Sequence, residues 1–213
     1  VREACKRYMI KKLNENKYRI PPAIFIQYDT SKNIITKDGL NEYDDYQRNI
    51  LSTLYKSGKI SPEYNYIHRI LENKGLHKFD IISCQFSLHY YFKDMDTLNG
   101  YLTNIKENCK LRGYFIGCCY DGKRIFNRLK ESEPFEYINN NGSVIYRVEK
   151  NYTIDNFDYK DNDDAMLGNS ITVEMESIGT PIEEYLVNFD FFIKKMKEFG
   201  FEPHLPNMKK YME

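Results

Sequence analysis

Two short, nearly unbroken apolar runs, residues 79–84 and 114–119, flank a segment whose apolar side chains recur at helical spacing. Phe79, Ile81, Ile82 and Cys84 leave no polar alternation. That is the pattern of a strand covered on both faces. Between the runs, Met95, Leu98, Tyr101, Leu102, Ile105 and Cys109 repeat every three or four residues over 94–111, and Gly113 ends that pattern. Strand, amphipathic helix, strand predicts a parallel pair joined by a crossover helix. This unit constrains the fold more than any other feature, because such pairs belong to α/β sheets.

The flanks extend the reading. Residues 23–28, AIFIQY, predict another strand after Pro21-Pro22, ending in the polar run Asp29-Thr30-Ser31-Lys32. Acids and hydroxyls at such strand ends face the ligand edge of an open α/β sheet, although a plain turn has the same composition. Residues 1–16 predict a helix with Val1, Ala4, Cys5, Tyr8 and Met9 on one stripe. Residues 43–55 and 62–73 predict two more, with Gly75 as a stop and His68 and His77 as scaffold. Asp121-Gly122 predicts a turn and 123–130 a short helix. Toward the end, 143–148 and 171–178 predict an antiparallel pair, 151–164 a flexible acidic loop, and 183–199 a long helix closed by Gly200.

Lys plus Arg and Asp plus Glu both number 31, so the net charge is zero, which argues against a general nucleic-acid coat protein. The 19 Tyr residues suit base stacking, but a codon bias shared with Asn, Lys and Ile is the better explanation of them. Cys5, Cys84, Cys109, Cys118 and Cys119 form no CxxC pair, which suits a reducing compartment and no metal site. No run is long enough for a membrane helix. The chain opens on Val and reads as a piece of something longer.

Triad, zincin and phosphate-loop signatures are missing from the sequence. One chemistry that needs no general base is methyl transfer to an unprotonated ring nitrogen, where rate comes from proximity and orientation. Aromatic side chains can stack a base, worth ~1–3 kcal/mol each. A carboxylate can accept from an edge carrying two donors, as guanine's does.

Ser83-Cys84-Gln85-Phe86, followed by His89-Tyr90 and Phe92, resembles the CQFxxHYxF signature of the mRNA cap guanine-N7 methyltransferases. Residues 1–8 (VREACKRY), 28–32 (YDTSK), 113–117 (GYFIG) and 183–187 (EEYLV) are similar to further segments of that family in the same order. The resemblance implies a Rossmann-like class I methyltransferase: an α/β fold, mostly parallel strands with helices on both faces, and an antiparallel C-terminal part. It implies one domain over 1–213, incomplete at both ends, with peripheral insertions at 34–77 and 150–168. The implied reaction moves methyl from S-adenosylmethionine to N7 of the GpppN cap, leaving S-adenosylhomocysteine.

Residue by residue, the resemblance implies that Asp29, Thr30, Gln85, Phe86 and Tyr90 hold the donor. It implies that Arg7, His89, Tyr90 and Glu184 hold the cap, with Arg7 toward its phosphates and Glu184 accepting from the guanine. Phe86 and Phe92 read equally as stacking wall or core. The implied partners are the capped 5′ end of mRNA, other capping components and the RNA polymerase II machinery. A monomer is implied, in the nucleus of a cell or in the cytoplasm for a virus. The family's Gly-rich donor loop and the acid of its second strand fall outside this sequence, and Tyr120-Asp121-Gly122 departs from the Pro-containing loop of many members. A non-catalytic subunit of a capping complex and a small-molecule methyltransferase remain the alternative readings.

Overall fold

A computed structural model describes residues 1–14, 20–41 and 44–204. They fall into two compact units, Val1–Leu76 and His77–Glu213.

In the second unit, β1 (Phe79–Gln85) pairs in parallel with β2 (Cys109–Cys118) through α4 (Met95–Asn108). For the first unit the helices are α1 (Arg2–Asn14), α2 (Asp45–Tyr55) and α3 (Asn65–Leu71). The crossover is as expected, with Asp94 capping α4 by accepting from the Thr97 amide at 2.7 Å. β2 starts as soon as α4 ends, but residues 110–113 lie off the ladder, and regular pairing resumes at Ile81 opposite Tyr114. Gly113 therefore marks where the ladder begins in earnest rather than where the helix stops.

Burial of both faces does not hold. Ile82, Cys84 and Phe115 turn to the core, whereas Ile81 is 57% exposed and Tyr114 and Ile116 are also exposed. Among the described residues β1 has one ladder partner, and α4 packs against the pair. Cover on one face gives period-two burial whatever the sequence offers on the other. Of the expected mostly parallel sheet, the described residues contain this single pair.

α5 (Gly122–Glu131) follows β2 and is capped by Asp121, which accepts from the Lys123 and Arg124 amides. The second sheet is antiparallel, in the order β3 (Phe135–Ile138), β4 (Val144–Lys150), β5 (Ser170–Met175), β6 (Ile182–Tyr185). The β4–β5 pairing is the expected one. The long helix expected over 183–199 is corrected: residues 182–185 are a strand, and α6 runs only Phe189–Glu198. Buried Asn188 sets the boundary by accepting from the Phe191 amide, and the β5 ladder claims the residues before it. Gly200 then closes the helix at φ +92°.

Nor is the acidic stretch after β4 a loose loop. Phe157 is 2% exposed and packs with Phe126, Leu129, Phe191 and Leu186 in the main core, with Tyr152, Ile154 and Tyr159 against it. Apolar residues interspersed among the acids anchor it.

The Val1–Leu76 unit has its own small core of Ile50, Leu51, Leu54, Tyr55 and Ile67. The expected strand at 23–28 forms no ladder among the described residues; Ile26 and Tyr28 pack on that core instead. The helix expected over 1–16 is α1, with Glu15 and Asn16 outside the described residues, and its apolar stripe is largely exposed. Tyr43, the expected start of the next helix, also lies outside them; α2 begins at Asp45. The following helix splits into a 3-10 turn, Pro62–Tyr64, and α3, and Gly75 sits in another 3-10 turn, Lys74–His77.

Candidate functional site

β1 ends at Gln85, and the chain turns at once. Phe86 takes a left-handed φ of +52° while its amide donates to the Cys118 carbonyl at 2.8 Å. A bulky residue rarely adopts this conformation, so the turn carries local strain. Its result is a Phe86 ring 69% exposed at the carboxyl end of the parallel pair. Phe92, by contrast, is fully buried against Phe191 and Phe192, which makes it core. The Gln85 amide is held in the sheet, donating to Ser83 Oγ at 3.0 Å and accepting from Cys118 Sγ at 2.8 Å.

The 3-10 turn Leu88–Phe92 brings His89 inward. Its far end is tied down where the Gly168 amide donates to the Phe92 carbonyl at 2.9 Å, just before β5. β5 pairs with β6, placing Ile171 opposite Glu184. So a residue after β1 and one far along the sequence meet: His89 Nε2 lies 3.5 Å from Glu184 Oε1, with both side chains over 90% buried.

That distance is too long for a good hydrogen bond. Both His89 nitrogens and Glu184 Oε2 are buried with no hydrogen-bond partner among the described residues. Buried polar atoms are nearly always paired, so these three leave unmet hydrogen-bonding capacity in one polar slot. Burial lowers the His89 pKa from 6.5 to about 4 and raises that of Glu184 from 4.5 to about 6. At neutral pH the slot presents a neutral imidazole and a largely ionised carboxylate. Tyr90 sits edge-on to His89 at 4.2 Å between ring centres, and burial and then the Glu184 charge push its phenol up.

A further residue lines this slot that was read from the sequence only as part of a divergent loop. Tyr120 stacks on His89, with ring planes 8° apart and centres 5.3 Å apart. Its loop is fixed by Gly122, whose amide donates to the Val187 carbonyl at 3.0 Å. A Cβ at Gly122 would lie 2.5 Å from that oxygen, so only glycine permits the approach. An aromatic directly after a strand that ends at the ligand edge was the signal available in the sequence.

The other expected site residues belong to the Val1–Leu76 unit. Asp29 is exposed, and its Oδ1 accepts from the Ser31 amide at 3.0 Å and the Ser31 hydroxyl at 2.7 Å, closing a tight turn around Thr30, just ahead of Lys32. Around it, the Tyr28 hydroxyl donates to the Asn33 carbonyl at 2.5 Å and accepts from the Gly39 amide at 2.9 Å. The Lys37 ammonium crosses to Ser57, at the end of α2. Arg7 is exposed and pairs with Glu3 at 3.2 Å, one helical turn away. Such a pair contributes little and exchanges readily. Among the described residues, no group of three or more His, Cys, Asp or Glu is placed to hold a metal ion, and no helix is long and apolar enough to cross a membrane.

Residues 1–212 match the family model of the mRNA (guanine-N(7))-methyltransferase domain. The chain is 32% identical over 204 residues to a protein of Acanthamoeba polyphaga mimivirus named probable mRNA-capping enzyme, covering 92% of this chain and 15% of that protein. It is 31% identical over 130 residues to the mRNA cap guanine-N(7) methyltransferase of Saccharomyces cerevisiae, covering 58% of this chain and 28% of that one. A 68-residue stretch is 35% identical to the Caenorhabditis briggsae protein of the same name, 32% of this chain and 18% of that one. The chain thus spans well under two thirds of the length of these relatives.

Proposed function

The chain belongs to the mRNA (guanine-N(7))-methyltransferase domain family, and we propose that this protein methylates N7 of the guanine cap of mRNA, with the His89–Glu184 slot receiving the guanine. The observation that carries this is the buried Glu184 carboxylate with an unpartnered oxygen, facing an imidazole with two unpartnered nitrogens. Guanine offers a ring N–H and an exocyclic amine to a carboxylate, and a carbonyl to an imidazole N–H.

S-adenosylmethionine supplies an electrophilic methyl group when bound. Within the His77–Glu213 unit, Phe86, with an exposed ring face, is suited to hold it, and Gln85 and Tyr90 complete the donor side of that unit in this reading. The guanine N7 lone pair is already free, so no side chain has to remove a proton. Methylation leaves the ring cationic, and Glu184 stabilises that charge as it develops. His89 stays neutral, which avoids adding a second positive charge beside the ring.

In this reading the two compact units are parts of one Rossmann-like methyltransferase domain, as the span of the family match supports. The protein would act where transcripts are capped: in the nucleus of a cell, or in the cytoplasm for a virus. The test uses the full-length protein, GpppA-capped RNA and labelled donor. Methyl on guanine N7 is expected, with Glu184→Gln lowering kcat/KM roughly 10- to 100-fold, the scale of a lost hydrogen bond to a charged group. Absence of methyl at N7 with the intact protein overturns the proposal.

A further inference from the structure

Among the described residues no hydrogen bond fixes the orientation of the His89 ring, since neither nitrogen has a partner there and Nε2 stands 3.5 Å from Glu184. Packing alone must hold it. The aromatic rings against it are Tyr90, edge-on from the same 3-10 turn, and Tyr120, face-on from the loop after β2. Tyr90 is 43% exposed. An edge-on neighbour leaves the imidazole free to tilt, whereas a parallel face at 5.3 Å blocks tilting toward it. Tyr120 is itself restrained, because Gly122 locks its loop to Val187, three residues beyond Glu184. The same short loop thus gauges the distance from His89 to the strand that carries Glu184.

We infer that Tyr120 is a positioning residue of the guanine slot: its ring, stacked on His89, holds the imidazole edge toward Glu184 and the guanine. This rests on the guanine reading of the slot. Only the ring is needed, so phenylalanine should serve as well as tyrosine. The effect should fall on the acceptor, because Tyr120 acts through His89.

The experiment compares Tyr120→Ala and Tyr120→Phe with the parent in the full-length protein, measuring KM for capped RNA and for donor separately. The imidazole proton shifts of His89 are recorded by NMR alongside. The expected result for Tyr120→Ala is a KM for capped RNA raised roughly three- to tenfold, the scale of an aromatic pair, with the donor KM within about twofold. The upfield ring-current shift of the His89 protons should disappear in Tyr120→Ala and remain in Tyr120→Phe, which should also restore the KM. An unchanged acceptor KM, an equal rise in both KM values, or a Phe variant as impaired as Ala overturns the inference while leaving the function standing. A parent that transfers no methyl to the cap overturns the function, and the inference with it.

Discussion

Glu184 and His89 depart from their ordinary pKa values in opposite directions for one reason: burial penalises the charged form of each. The consequences separate by sign. For Glu184, the folded value of about 6 lies above the ordinary 4.5. Its contribution to stability is therefore full below pH 4.5 and lost as pH rises through 6. For His89, the folded value of about 4 lies below 6.5. Its contribution is full above pH 6.5 and lost as pH falls through 4. Glu184→Gln removes the first dependence and leaves the second. That variant should melt higher than the parent at pH 7, by about 2–4 °C for each kcal/mol relieved, and the gap should close toward pH 4.5. Calorimetry across that range checks it; a gap that widens on acidification contradicts the raised Glu184 value. Function runs the other way. Accepting two guanine donors needs the carboxylate, so kcat/KM should rise with pH through about 6.

At the scale of elements, the boundary between β6 and α6 decides whether Glu184 belongs to a strand or a helix. Asn188 sits there fully buried, its Oδ1 accepting from the Phe191 amide at 3.1 Å and its Nδ2 donating to the Phe157 carbonyl at 2.6 Å. Asn188→Ala loses a cap worth about 1 kcal/mol and strands a buried carbonyl at about 1–3 kcal/mol. The melting temperature should drop by roughly 5–15 °C, and a drop under about 2 °C would refute the anchoring role. The same residue explains a misreading. Leu186, Phe189, Ile193 and Met196 keep helical spacing across the boundary, so periodicity alone runs the helix back through Glu184. The competing signal, an Asn inside the run, was present but carries weight only with a β5 partner to claim 182–185. The parallel pair with α4 was legible because its signals are local: a cap at Asp94, helical spacing, two apolar runs. Strand burial and the 23–28 segment were not, because both depend on which neighbours cover them. Of the slot, His89 and Glu184 were legible through resemblance, whereas Tyr120 required the stack to be seen.

For the whole molecule, charge balance sets how RNA can be held. With 31 basic and 31 acidic residues there is no excess positive charge to track a phosphate backbone. Several basic side chains also have acidic neighbours: Lys123 has Asp158 and Asp190, Arg128 has Glu131, and Lys194 has Asp163. On the proposed function, affinity for capped RNA should then come mainly from the guanine and the few phosphates next to it. Each neutralised phosphate on a single strand contributes about −0.7 to the slope of log K against log salt. Contact with two or three phosphates gives a slope of about −1.5 to −2. Fluorescence anisotropy of this 213-residue chain with GpppA-capped RNA, titrated between low and physiological salt, measures it. Lengthening the RNA beyond the first few nucleotides should leave both slope and affinity nearly unchanged, and uncapped RNA of the same length should bind far more weakly. A slope steeper than about −4, or affinity that grows with RNA length, would mean that the chain carries a basic track despite its neutral composition. The guanine slot would then be one contact among many rather than the principal source of binding.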